Sequence, residues 1–174
     1  PIIDPHHHMW ECESGIYLLP QLQADLASGH NVRATVYLQC GYGYRADGPE
    51  HLRPVGETET IVRITEGLDA RACAGIVGYA DFRSDRIEDV LAAHVEAGKG
   101  RFRGIRQSAG WDPGVQLVTA TPAPQGLLAD PAFRAGVARL KQFDLTYECS
   151  LYYPQLPEIA ALARALPEQP ILVN

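Results

Sequence analysis

The sequence predicts an α/β protein, a (β/α)8 barrel of which only strands one to six are present in these 174 residues. Runs rich in Val, Ile, Tyr and Thr alternate five times with segments whose apolar residues recur at helical spacing, and a sixth run follows. Such alternation is typical of parallel strands joined by helical crossovers. The alternative is an open parallel α/β sheet, but no G-x-G-x-x-G, the mark of dinucleotide-binding sheets, follows the first run.

Each element is assigned from its own residue pattern. The strands are predicted at residues 2–8, 32–40, 74–81, 102–108, 145–152 and 170–173, and the helices at residues 19–28, 57–72, 86–97, 131–142 and 156–166. Asp130 and Pro131 supply an N-cap and a first helical residue for the fourth helix, and Gly98 ends the third. Two long segments, 41–56 and 109–126, follow strands at the end of the sheet where α/β enzymes build their sites.

Composition excludes several classes of protein. The chain has 46% hydrophobic residues and a formal net charge of -6, without the clustered Lys and Arg that nucleic-acid binding requires. No apolar run approaches the ~18 residues of a membrane span. The four cysteines lie far apart in sequence, which favours reduced thiols over a disulfide framework. We therefore expect one domain over residues 1–174, a cytoplasmic location and a small-molecule substrate, with homo-oligomer formation left open.

The first predicted strand ends in a run of three histidines. Because side chains alternate along a strand, His6 and His8 point the same way and His7 points the opposite way, with Asp4 on the face of His6. Two imidazoles so placed can bind one divalent metal, and zinc commonly takes such ligands. The alternative is a pair of packed histidines.

The second strand alternates apolar residues with a more polar face that ends at Gln39. If that polar face lines the barrel interior, Gln39 lies at the mouth and contacts substrate; alternatively it bonds the neighbouring strand. Tyr44 and Arg45, in the glycine-rich segment that follows, are candidates for a substrate wall or a lid, or for surface packing. Asp81 ends the third strand, where a carboxylate binds metal, orients a histidine or caps the next turn.

Arginines mark the fourth strand, and Arg106, nearest its C-terminal end, is the candidate for holding an anionic or carbonyl-bearing substrate. Its alternative is a structural ion pair. Arg103 lies on the opposite face, where we expect an acidic helix residue to pair with it or its head to reach solvent. On the fifth strand Glu148 is expected to be deep and structural, whereas Tyr152 is a candidate hydrogen-bond donor to substrate.

Four segments share a resemblance that runs through the whole chain: Asp4-Pro-His6-His7-His8-Met-Trp10, Gly104-Ile-Arg106-Gln, Tyr153-Pro-Gln-Leu156-Pro and Pro170-Ile-Leu-Val-Asn174. They resemble the amidohydrolase-related family of TIM-barrel metal-dependent hydrolases, and within it the 2-pyrone-4,6-dicarboxylate lactonases and sugar lactonases. The resemblance implies that His6 and His8 hold zinc, which some lactonase-like members dispense with, and that Arg106 contacts substrate. It also implies a further histidine and a catalytic aspartate beyond residue 174.

Three functions follow as expectations. The first is hydrolysis of a lactone or similar cyclic ester by an activated water, and the second is metal-dependent decarboxylation of an aromatic or related acid. The third is a catalytically incomplete barrel with only a binding or structural role. Because a complete barrel needs about 250 residues, we expect the chain to need the remaining barrel segment. Alone, it would leave apolar edges on strands one and six and would not be independently stable.

Overall fold

A parallel sheet organises the part of the chain that the computed structural model describes, residues 1–13, 15–115 and 123–174. The strands are β1 (Ile2–His7), β2 (Trp10–Cys12), β3 (Gly15–Tyr17), β4 (Val32–Leu38), β5 (Gly75–Gly78), β6 (Phe102–Arg106), β7 (Thr146–Cys149) and β8 (Ile171–Val173). Within these described ranges, six strands form one sheet in the order β1-β4-β5-β6-β7-β8, and every adjacent pair is parallel. The short strands β2 and β3 form a separate antiparallel hairpin.

Helices connect the strands of this sheet. They are α1 (Leu19–Leu26), α2 (Val55–Ile64), α3 (Ile87–Ala97), α4 (Pro131–Arg139) and α5 (Leu156–Ala165). Strand order in the sheet follows chain order without the reversal of a doubly wound sheet, so the fold is a partial (β/α)8 barrel, as predicted. Within the described residues, no helix is both long and apolar enough to cross a membrane.

The two faces of the sheet differ in what covers them. Tyr37, Ile76 and Ile105 belong to the hydrophobic core that the sheet shares with the helices. The prediction that the polar face of β4 lines the barrel interior is therefore wrong, because the Tyr37 hydroxyl donates to Glu57 Oε1 of α2, 2.6 Å away, and is buried with that partner. Alternation places Leu38 on the interior face instead.

Helix ends follow the local signals closely. Asp130 Oδ1 accepts from the backbone N–H groups of Ala132 and Phe133 at 2.8 and 2.9 Å, so the predicted N-cap is confirmed. Gly98 is the C-cap of α3, also as predicted. The predicted second helix, 57–72, extends too far: α2 ends at Ile64, and Gly67 follows with a φ of 74°, a left-handed conformation that stops a helix.

The two outer strands of the sheet carry exposed apolar side chains. In the described ranges β1 pairs only with β4, and β8 only with β7. Ile3 is 67% exposed and Val173 is 53% exposed. The apolar edges expected on strands one and six are therefore present, and the instability expected from them stays a prediction. Of the long segment 109–126, residues 116–122 lie outside the described residues.

Candidate functional site

The paired histidines occupy the C-terminal end of β1 and its continuation. His6 Nε2 and His8 Nε2 are 3.1 Å apart, and their rings meet edge to face with centroids 4.9 Å apart. His7 lies on the other face, where its ring contacts Tyr37 at 5.9 Å and its Nε2 is 3.8 Å from Cys73 Sγ. The alternation predicted from the H-x-H spacing is confirmed.

The nitrogen of His8 that faces His6, Nε2, is suited to act as a lone-pair donor. His8 Nδ1 lies 2.8 Å from the Leu38 carbonyl oxygen, which can only accept, so Nδ1 carries the proton and Nε2 is left with its lone pair. Burial lowers the pKa of His6, with His8 and Arg106 adding to the effect. Burial also lowers the pKa of His8, while the hydrogen bond to the Leu38 carbonyl acts in the opposite direction. Neutral imidazole is the form that binds a metal.

A zinc ion takes about four ligands, and this site provides two of them in suitable positions. Asp4, the third group expected on this face, turns its Oδ1 back to the His6 backbone N–H at 3.1 Å. Among the residues that the structure describes, no group of three or more His, Cys, Asp or Glu is arranged to hold a metal ion. His6 and His8 therefore fit zinc as a partial ligand set.

Arg106 ends β6 beside the histidines. Its Nη1 is 3.4 Å from His6 Nε2, and its Nη2 donates to the Gln39 carbonyl oxygen. Arg103, which directly precedes Gly104 on the same strand, is exposed and donates to the carbonyls of Gly100 and Phe102. Of the two expectations for Arg103, its head therefore reaches solvent, and the described contacts include no acidic helix partner. Its guanidinium is satisfied by carbonyls next to it in sequence.

A buried carboxylate balances the charge of Arg106. Glu148 is paired with Arg106 in the register of β6 and β7, is 7% exposed, and accepts from Asn174 Nδ2 at 3.0 Å. Burial raises the pKa of Glu148, opposed by Arg106 and by the Asn174 bond. Burial lowers the pKa of Arg106, opposed first by Glu148. The guanidinium thus stays charged in a half-buried position.

Two cavities open beside this end of the sheet. One of about 330 Å³ is lined by Gln39, Tyr79 and Gln107 among others, and one of about 560 Å³ includes Tyr44, Tyr79 and Asp81 in its wall. Tyr79 lines both. Small-molecule sites are usually concave surfaces of a few hundred Å³ with a few polar groups. His6, His8 and Arg106 are not among the described residues that line either cavity, and the smaller cavity is linked to them through Gln39, whose carbonyl oxygen accepts from Arg106.

The other candidates have structural partners. Asp81 Oδ1 accepts from the Arg83 backbone N–H at 3.0 Å, its carboxylate pairs with the Arg83 guanidinium, and it also receives Gln107 Nε2 at 3.2 Å. Arg45 forms an ion pair with Glu59. Tyr152 follows β7 and its ring lies beside Gly110, with Cε2 3.5 Å from the position that a Cβ added at Gly110 would take. These contacts agree with the turn-capping alternative for Asp81 and the packing alternative for Arg45.

One buried residue of this region was missed by the sequence interpretation. Glu57 is 1% exposed, and its Oε1 accepts from the Tyr37 hydroxyl and from the backbone N–H groups of Cys40, Gly41 and Tyr42 at 2.6, 2.8, 3.0 and 3.0 Å. Its partners lie 15 to 20 residues away in sequence, so local spacing carries no signal for them. A glutamate in a first helical turn is also the ordinary complement of a helix dipole.

Known structures share this architecture. The zinc-bound crystal structure of an amidohydrolase from Burkholderia multivorans superposes with a TM-score of 0.70 at 21% identity, over 98% of this chain and 56% of that one. The fold is amidohydrolase-like. A HEPES-bound form gives 0.64 at 23% identity over 94% and 53% of the two chains. A protein assigned as a 2-pyrone-4,6-dicarboxylic acid hydrolase from Pseudomonas putida gives 0.59 at 15% identity, over 98% and 55%.

A curated sequence also matches this chain. The uncharacterized protein y4mH of Sinorhizobium fredii (strain NBRC 101917 / NGR234) is 30% identical over 196 residues, which cover 99% of this chain and 61% of y4mH. No family model matches. The chain thus spans about three-fifths of the curated relative, and just over half of the similar structures.

Proposed function

We propose that the protein is a hydrolase that opens a lactone or a similar cyclic ester by attack of an activated water. The observation that carries the proposal is the convergence of His6, His8 and Arg106 at the C-terminal end of a parallel sheet, within 3.4 Å of one another through His6 Nε2. Barrel enzymes perform their chemistry at that end. The similarity to solved amidohydrolase structures supports the same reaction class.

The residues divide the work of such a reaction. The water oxygen bonds to the carbonyl carbon, and negative charge develops on the carbonyl oxygen. The ring carbon–oxygen bond then breaks, and a proton lost by the water ends on the ring oxygen, which gives a hydroxy acid. Arg106 holds the carbonyl oxygen or a substrate carboxylate as that charge develops. His6 and His8 are the proposed ligands of a divalent metal, zinc. A metal bound there would polarise the carbonyl or lower the pKa of a bound water.

The proposed substrate is a small cyclic ester that carries a carboxylate. Gln39 and Tyr44 are proposed to contact it, because both line the adjoining cavities. Arg45 is proposed at the outer part of the same wall, through the segment it shares with Tyr44. Asp81 is proposed to orient the site from the cavity wall, and Tyr152 to donate a hydrogen bond. The remaining barrel segment is proposed to complete the ligand set.

The test is turnover by the complete protein of three probes: 2-pyrone-4,6-dicarboxylate, the uncharged lactone dihydrocoumarin, and an aromatic carboxylic acid. Acid release reports ring opening, and carbon dioxide reports decarboxylation. Arg106→Ala should lower kcat/KM for ring opening by about a hundredfold or more. Arg103→Ala is the matched control, since Arg103 is an exposed arginine of the same strand that donates only to neighbouring carbonyls in the described contacts.

Three outcomes would contradict the proposal. If the wild type opens neither lactone, the proposed hydrolysis is refuted. If it releases carbon dioxide from the aromatic acid, decarboxylation replaces hydrolysis as the proposed reaction. Equal rates for Arg106→Ala and Arg103→Ala would remove the role of Arg106. The metal is tested by removing zinc with a chelator and adding it back, in the wild type and in His6→Ala. The ring-opening rate of the wild type should fall and recover, whereas that of the variant should not change.

A further inference from the structure

A single peptide group joins the buried carboxylate of α2 to the arginine of the site. The N–H of Cys40 donates to Glu57 Oε1 at 2.8 Å. The carbonyl of Gln39, the other half of the same peptide unit, accepts from Arg106 Nη2. Because a peptide unit is planar and its N–H and C=O point in opposite directions, the direction of one end sets the direction of the other.

The carboxylate that fixes this peptide is itself held firmly. Its Oε1 receives four donors, three of them the consecutive backbone N–H groups of Cys40, Gly41 and Tyr42. Glu57 lies inside the protein with its Oε2 buried and without a hydrogen-bond partner among the described residues. Burial raises the pKa of Glu57, and the bonds from these four donors oppose that rise because they favour the ionised form, which binds backbone N–H groups strongly. The first turn of α2 therefore determines where the 40–42 segment lies.

Close packing reinforces this arrangement. A Cβ added at Gly56 would stand 2.4 Å from the Arg45 backbone nitrogen and 2.7 Å from the Gly43 carbonyl oxygen. Only glycine lets the segment after β4 approach α2 so closely. Gly56 precedes Glu57, so the residue that permits the contact and the residue that bonds the segment are neighbours in the sequence.

We propose that Glu57 is a positioning residue that orients Arg106 through the Gln39–Cys40 peptide. The side chain of Glu57 aims the Gln39 carbonyl at the guanidinium through its bond to the Cys40 N–H, and the chain of two bonds strengthens that carbonyl as an acceptor. The guanidinium is then held at the position from which it reaches His6 Nε2 and substrate. The effect on substrate rests on the proposed function, whereas the structural link from Glu57 to Arg106 does not.

The first experiment needs no substrate. In the complete protein, NMR follows hydrogen exchange of the Cys40, Gly41 and Tyr42 amides and the rotation of the Arg106 guanidinium. Glu57→Gln should speed exchange of those amides by about tenfold or more and free the guanidinium to rotate. Val62→Ala, which shortens a buried side chain of the same helix, should leave the exchange of these amides and the rotation of the guanidinium unchanged.

The second experiment uses ring opening of the lactone probes in a double-mutant cycle. Glu57→Gln should lower kcat/KM by about ten- to a hundredfold in the wild type, but by little in an Arg106→Lys background, because it acts through Arg106. If Glu57 served only the fold, its substitution would lower kcat/KM equally in the wild type and in the Arg106→Lys background. Absence of turnover would refute the proposed function alone, since the NMR measurement still decides the link.

Two results would overturn the inference. One is that Glu57→Gln leaves the amide exchange rates and the guanidinium rotation unchanged, and the other is that Val62→Ala changes them as much as Glu57→Gln does. If Glu57→Gln does not fold, Tyr37→Phe replaces it, because it removes one donor from the same oxygen. That variant should speed exchange of the Cys40 amide and rotation of the Arg106 guanidinium, each by less than Glu57→Gln. No change in either would equally overturn the link.

Discussion

His94 gives the protein a specific sensitivity to acid. It is fully buried in α3, with Nε2 3.0 Å from the Tyr79 carbonyl, Nδ1 2.8 Å from Thr58 Oγ1, and its ring stacked on Phe102 at 4.7 Å. The carbonyl can only accept, so Nε2 carries the proton and Nδ1 accepts from the Thr58 hydroxyl. Every partner thus suits neutral imidazole, and burial lowers the pKa of His94 to about 4.

The sign and size of the effect follow from this pKa. In the unfolded chain the pKa returns to about 6.5, so on acidification the unfolded state takes up the proton first. The stability that neutral His94 contributes is complete above about pH 6.5 and is lost as the pH falls toward about 4. Between about pH 7 and about pH 5 the free energy of unfolding should drop by about 2 kcal/mol from this residue.

The measurement is urea unfolding of the wild type and of His94→Gln at a series of pH values. Glutamine cannot titrate, so the variant should lose about 2 kcal/mol less than the wild type over that range, whatever its stability at neutral pH. The lowered pKa values of His6, His7 and His8 act in both proteins and cancel in the difference. Equal losses in the two proteins would refute the reasoning.

Two further predictions concern α4. Asp130→Ala removes the acceptor for two backbone N–H groups and should cost about 1 kcal/mol in urea unfolding, whereas Asp130→Asn, which keeps an acceptor, should cost much less; equal costs would show that the cap bonds do not matter. Gly136→Ala would put a Cβ 1.9 Å from the Phe82 carbonyl oxygen, and because backbone cannot move aside cheaply it should cost about 2 kcal/mol or more; a melting temperature equal to that of the wild type would contradict this packing.

The fold was predictable because its main signals are local. Each sheet strand is a short apolar run, each helix has its own amphipathic pattern, and the parallel order follows from their alternation. What the pattern missed was the hairpin of β2 and β3, whose three-residue strands are too short to show alternation. Trp10 and Tyr17 stabilise it by stacking at 5.1 Å, a pairing that no spacing rule indicates.

The site was predictable only in part. The H-x-H spacing and the position of Arg106 correctly indicated side chains that meet at one end of the sheet. The polar face of β4 misled, because Tyr37 is buried on the helix side with Glu57 as its partner. A buried polar residue with a distant partner has the same local pattern as one that lines a pocket, and only the tertiary contact separates the two.

The end of β4 organises the site through its backbone rather than through its side chains. The carbonyl of Leu38 holds His8 Nδ1, the next carbonyl, of Gln39, holds Arg106, and the next N–H, of Cys40, is held by Glu57. Backbone groups of three consecutive residues therefore set one histidine tautomer, one guanidinium position and their attachment to α2. Substitutions of the Gln39 side chain should disturb this geometry less than changes at Glu57, since main-chain atoms are common to every residue type while the carboxylate that aims them is not.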